Sequence, residues 1–201
     1  MAELDTMLDR LSPKEQAQVL IMETTEAYHL HNPGHLSYIL ATAKWETGNF
    51  KHMKEIQGEK RPYAPYYGRG YVQLTHRTNY DKFSKILGLD LINNPDLAMD
   101  KRNAAKIIVH GMAYGVFTGE LKKDNIHWSG KKLVDYIDGN GLGDGSGKAD
   151  FYNARRIING VDKATEVANL ATKWIRYFKD ARNKPNGDIK FLKWSRYHED
   201  L

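Results

Sequence analysis

Leu36, Ile39, Leu40 and Ala43 recur at the spacing of one helix face, and the stripe runs into Glu46 and Thr47 just before Gly48-Asn49, a helix-stop pair. This junction constrains the chain more than any other stretch. It delivers a carboxylate to the core-facing side of a helix in its last turn, and then the backbone must leave the helix. Asn32-Pro33 supplies the matching start, with proline at the first helical position. In a last turn the partially negative carbonyls and low solvation favour a protonated carboxyl, the form a general acid needs.

A second carboxylate, Glu55, follows nine residues later. On one continuous helix those residues, at about 100° each, would put Glu55 roughly half a turn away and about 13 Å along the axis. The two can cooperate only if the chain reverses at Gly48. On spacing alone, the ordinary reading is a pair of solvated charges beside Lys51, Lys54 and Lys60.

The stretch Tyr66-Tyr67-Gly68-Arg69-Gly70-Tyr71-Val72-Gln73-Leu74-Thr75 changes that reading. It resembles the signature of the family 19 glycoside hydrolases, the plant-type chitinases and the phage and bacterial endolysins related to them. Glu46-Thr47-Gly48 is similar to that family's His-Glu-Thr-Gly helix end, which carries the general acid, with Trp45 here in place of the histidine. Asn93-Asn94-Pro95-Asp96-Leu97 and Ile157-Ile158-Asn159-Gly160 are similar to two further family stretches, so the resemblance spans about residues 33–160. The short interval from Glu46 to Glu55 departs from the plant enzymes and resembles the peptidoglycan-cleaving phage branch.

The resemblance implies a mainly α, lysozyme-like two-lobed helical domain with a substrate cleft, and a single catalytic domain over residues 1–201. It implies an inverting reaction with Glu46 as acid, Glu55 as base and Thr75 orienting the water. Inversion needs the carboxyls about 6.5 to 9.5 Å apart, leaving room for that water. Gln73, Asn79 and Asn159 match substrate-contact positions, as amides able to donate to and accept from sugar hydroxyls and N-acetyl groups. Tyr67 is expected to offer a sugar an aromatic face, unless it or Tyr66 simply packs in the core. Lys106 aligns with a lysine near the cleft. Arg69, between two glycines, reads either as a structural ion-pair partner or as a ligand contact. The expected substrate is the β-1,4-linked glycan strand of peptidoglycan. A chitinase is the alternative within the class, and a non-catalytic wall-binding module the alternative outside it.

Composition narrows the partners. Lysines and arginines outnumber acids 30 to 25 over 201 residues, a net charge of +5, which favours a polyanionic neighbour: nucleic acid, an anionic membrane or an anionic cell wall. No nucleic-acid motif is recognisable, and a monomer is expected. There is no cysteine, so neither a disulfide framework nor a thiol nucleophile is available. No apolar run approaches about 18 residues, and Met1-Ala2-Glu3-Leu4-Asp5 does not resemble a signal peptide. The expectation is synthesis in a host cytoplasm, release by a holin-type membrane permeabiliser, and action in the periplasm or cell wall.

No cofactor and no metal are expected. His29, His31 and His35 crowd together, but no carboxylate stands at a fixed spacing to complete a site. The glycine-rich run from Asp138 to Lys148 fails as a calcium loop and as a phosphate loop, because Leu142 and Ala149 occupy positions each would need for other residues. It reads as a loop. Elsewhere Ser12-Pro13-Lys14-Glu15 is a capping box, and helices are expected over about 79–87, 100–116 and 162–182, with a short one over 131–137. Phe191, Trp194 and Tyr197, interleaved with Lys193 and Arg196, are expected to pack back on the domain, with contact to an anionic envelope surface as the alternative.

Overall fold

The structure is a computed structural model, described for residues 6, 8–117, 130–139 and 147–182. Its helices begin and end where local side-chain chemistry dictates. Helix α1 (Pro13–Ala27) opens with the Ser12–Glu15 capping box, in which Ser12 Oγ accepts from the Glu15 N–H and the Glu15 carboxylate accepts from the Ser12 N–H. Helix α2 (Pro33–Glu46) opens with Asn32 Oδ1 accepting from the Gly34 N–H at 2.8 Å. Helix α3 (Arg77–Leu87) closes on left-handed Gly88. The Asp100 carboxylate starts α4 (Lys101–Tyr114) by accepting from the Arg102 and Asn103 N–H groups, and Gly115 ends it. Helix α5 covers Ala164–Arg182.

The mainly helical architecture expected from sequence is the one observed, and pairing between extended segments is limited among the described residues to isolated bridges. The expected helix over 131–137 is only a 3-10 turn, Leu133–Asp135. Three further 3-10 turns, Gly58–Lys60, Pro95–Met99 and Asn153–Ile157, carried no periodic signal that would announce them.

Helix α2 lies at the centre. It packs most extensively on α5 and also meets α1 and α4, while α1 and α4 pack on each other. Its neighbours cover more than one stripe: Tyr38 and Ala41 are as fully buried as Leu36, Ile39, Leu40 and Ala43. Each large apolar side chain removed from water here contributes about 1.5 to 3 kcal/mol. On α5, Ala164, Val167, Ala171, Ile175 and Phe178 are buried, with Ala168 and Trp174 at the margin, as the sequence periodicity required. Glu46 therefore ends a helix whose body is fixed from several sides.

The N-terminal end of α2 is tied to the 133–150 segment. Asn32 Nδ2 donates to the Gly139 carbonyl at 2.6 Å, and His35 Nε2 lies 2.7 Å from the Ile137 carbonyl. Ile137 in turn bridges to Ala149. Residues 140–146 of the glycine-rich run, and the Phe191, Trp194 and Tyr197 set, lie outside the described residues. No described helix is long and apolar enough to cross a membrane.

Candidate active site

Helix α2 stops because Thr47 captures the chain that follows. Its hydroxyl donates to the Ala43 carbonyl at 2.6 Å and accepts from the Phe50 N–H at 2.8 Å, while its carbonyl accepts from the Lys51 and His52 N–H groups. Gly48, Asn49 and Phe50 all take positive φ, at 55°, 67° and 63°. Glycine is the residue that enters this left-handed region without cost, and it comes first in the run. Helix α2 therefore gives way to a left-handed run directly after Glu46 and Thr47.

Beyond this left-handed run, three short segments lie side by side. Lys54 bridges to Arg69, and Arg69 bridges to Leu74, both antiparallel. Gly70 makes the tight connection possible: its φ is +73°, and a Cβ there would stand 2.5 Å from the Ala98 carbonyl oxygen. Register then places Gly68 between Glu55 on one side and Thr75 on the other. The Glu55 N–H donates to the Gly68 carbonyl at 2.8 Å, but the Gly68 N–H turns instead to the Glu55 carboxylate, at 3.0 Å from Oε2. The other oxygen, Oε1, accepts from Arg61 Nε at 2.7 Å and from the Tyr63 hydroxyl at 3.0 Å. Thr75 Oγ1 donates to the Gln73 carbonyl at 2.7 Å, so its lone pairs point elsewhere.

Glu46 is half-buried, and it is not surrounded only by apolar groups. Its Oε1 accepts from Arg155 Nη1 at 2.5 Å. Arg155 is 2% exposed, and its Nε donates to the Asp162 carbonyl at 2.9 Å. The low solvation expected for Glu46 is accompanied by a buried guanidinium that the sequence reading did not include. Sequence reasoning picked out Ile157-Ile158-Asn159-Gly160 and passed over Arg155. The available signal was a guanidinium in an apolar register, between Phe151, Ala154 and Ile157, where an arginine needs a buried acceptor.

The remaining candidates fall in different places. Gln73 is half-buried at φ +52°, its amide donating to the Gly70 carbonyl at 3.0 Å. Asn79 is buried in the first turn of α3, its Nδ2 donating to the Thr75 carbonyl at 2.9 Å, which braces the segment that carries Thr75. Asn159 is half-buried, and its N–H donates to the Arg155 carbonyl at 2.9 Å. Lys106 is exposed on α4. Tyr67 is the departure: it is buried, with the Arg69 guanidinium 3.8 Å from its ring centroid, so it does not turn an open aromatic face to a glycan. Arg69 itself is structural. Buried, it donates to Asp96, the Pro65 carbonyl and the Tyr80 hydroxyl. Burial pushes the Tyr80 hydroxyl up to about 12, against the opposing pull of Arg69, which keeps it a donor to the Tyr67 carbonyl at 2.7 Å.

The histidines form no metal centre. His35 bonds the Ile137 carbonyl, His31 Nδ1 stands 3.9 Å from Glu26, and no group of three metal-ligating side chains occurs among the described residues.

Known proteins resemble this chain at the level of short stretches and of a family profile. Over 33 residues the chain is 67% identical to Chitinase 11 of Oryza sativa subsp. japonica, covering 16% of this chain and 13% of that protein. Over 53 residues it is 43% identical to the Acidic 26 kDa endochitinase of Solanum lycopersicum, covering 25% of this chain and 19% of that one. The matched stretches thus span less than a fifth of these curated relatives. Among solved structures, a chitinase C mutant aligns over 90% of this chain and 84% of its own, at 19% identity and a TM-score of 0.47. The profile of the family described as Chitinase class I matches residues 20–122, just over half of the chain. The chain belongs to family 19 of the glycoside hydrolases, the family of the class I chitinases.

Proposed function

We propose that this chain hydrolyses the β-1,4 glycosidic bond between amino sugars of bacterial peptidoglycan, with inversion. One observation carries the reading: Glu55 and Thr75 flank Gly68, with the Glu55 carboxylate fixed by the Gly68 N–H, while Glu46 stands at the end of α2. A water between Glu55 and Thr75 would give one proton to the carboxylate and direct its other O–H to a Thr75 lone pair, since the Thr75 hydroxyl already donates to Gln73. Glu46 protonates the leaving oxygen. Arg155 occupies Glu46 Oε1, so Oε2 is the oxygen that carries the proton.

Peptidoglycan is preferred to chitin for the net charge of +5 and for the nine-residue interval between the carboxylates. The chitinase reading is kept because the similar proteins are named chitinases. Release of soluble glycan from purified sacculi and from colloidal chitin, measured side by side, separates the two. Faster turnover of sacculi supports peptidoglycan, faster turnover of chitin supports the alternative, and binding to sacculi without turnover would make the chain a wall-binding module.

Within this reading the chain acts as an endolysin, made in the host cytoplasm and admitted to the wall by a holin-type permeabiliser. Expressed alone it should leave cells intact until the inner membrane is opened. Lysis without membrane damage would contradict that route.

A further inference from the structure

The Glu55 carboxylate offers four in-plane lone-pair sites, and among the described residues protein donors fill three of them. On Oε1 both are taken, by Arg61 Nε at 2.7 Å and by the Tyr63 hydroxyl at 3.0 Å. On Oε2 one donor stands among the described residues, the Gly68 N–H at 3.0 Å. Glu55 also ends the ladder, its carbonyl accepting from the Gly58 N–H, so its backbone is held as firmly as its side chain. We infer that Arg61 and Tyr63 are positioning residues that hold Glu55 rotated, with Oε2 as the sole proton-accepting oxygen.

This deepens the proposed reaction and rests on Glu55 being its base. In the step itself a water O–H bond breaks, its proton forms the Oε2–H bond, and the water oxygen bonds to the anomeric carbon. The glycosidic C–O bond breaks at the same time, and the leaving oxygen takes the proton of Glu46. Only a lone pair on the side of Glu55 facing the sugar can serve. If Oε1 were free, the carboxylate could rotate and present either oxygen, and a misaligned base loses rate steeply.

The two partners divide the work. The Tyr63 ring meets the His76 ring edge to face at 5.1 Å, and His76 directly follows Thr75. The hydroxyl on Oε1 is therefore aimed by the same corner that carries the water-orienting threonine. Arg61 is half-exposed, 51% against 20% for Glu55, so it contributes charge more than rigidity.

Steady-state kinetics of Tyr63→Phe, Arg61→Gln, Arg61→Lys and Glu55→Gln test the assignment on whichever glycan the wild type cleaves. Tyr63→Phe keeps the ring against His76 and removes the hydroxyl that donates to Oε1. It should lower kcat about 10-fold with KM within about twofold, as loss of a hydrogen bond to a charged group predicts. Arg61→Gln should lower kcat about threefold, again with KM within about twofold, and Arg61→Lys should recover most of the loss. Wild-type kcat in both Tyr63→Phe and Arg61→Gln, beside an inactive Glu55→Gln, would overturn this inference alone. A fully active Glu55→Gln would overturn the base assignment beneath it.

Discussion

Arg155 Nη1 donates to Glu46 Oε1 at 2.5 Å across 109 residues of sequence, joining the end of α2 to the 3-10 turn Asn153–Ile157. The guanidinium is buried, and its Nε is held by the Asp162 carbonyl, so it is a fixed donor and not a mobile counterion. The orientation of the candidate acid thus depends on a turn in the last quarter of the chain. The contact joins the Glu46-Thr47-Gly48 stretch to the segment just before Ile157-Ile158-Asn159-Gly160.

Arg155→Leu should therefore lower stability by roughly 3 kcal/mol, the low end for breaking a buried pair, because Glu46 keeps some access to water. Chemical denaturation measures the loss. The double variant with Glu46→Gln should lose less than the sum of the two single variants. Strict additivity would mean that the pair does not couple.

Glu46→Gln and Glu55→Gln should each reduce turnover by about 10² to 10⁴, the range of one proton-transfer role. Circular dichroism should show both folded, since glutamine keeps the acceptor that Arg155 or Gly68 needs. Near-wild-type turnover in either folded variant would remove that residue from the mechanism.

Thr75→Ala should lose most activity, and Thr75→Ser should keep much more, because the hydroxyl and not the methyl holds the water. Equal loss in the two would favour a packing role.

His35 predicts an acid-sensitive fold. Burial holds its imidazole below the ordinary histidine value, against the opposing hydrogen bond to the Ile137 carbonyl. His110 is displaced the same way by burial. The unfolded chain takes up these protons first, so their contribution is complete above about pH 6.5 and is lost as pH falls toward the lowered folded values. Thermal unfolding at pH 7.5 and pH 5 should show wild type losing more stability than His35→Gln. An identical loss in both would clear His35 of the effect.

Legibility in the sequence divided along range. Ser12, Asn32, Asp100, Gly48 and Gly88 mark helix ends through bonds to residues a few positions away, so most helices and the break after Glu46 could be read directly, whereas the helix expected over 100–116 ran past its stop at Gly115. The motif around Arg69 announced a special backbone, but not that Tyr67 would be buried beneath that arginine. The partners of both glutamates escaped notice for the same reason. Arg155 reaches Glu46 only through packing of the 151–167 segment, and Arg61 and Tyr63 reach Glu55 only through a turn with no periodic signal.

The central claim, that Glu46 and Glu55 act on opposite faces of one bond with a water between them, is tested most directly by the anomer first released. Time-resolved proton NMR of the cleavage of a β-linked oligomer, recorded before mutarotation, should show the α-anomer as the initial product. A β-anomer formed first, or a glycosyl ester trapped on either glutamate, would contradict the account even if both residues proved essential.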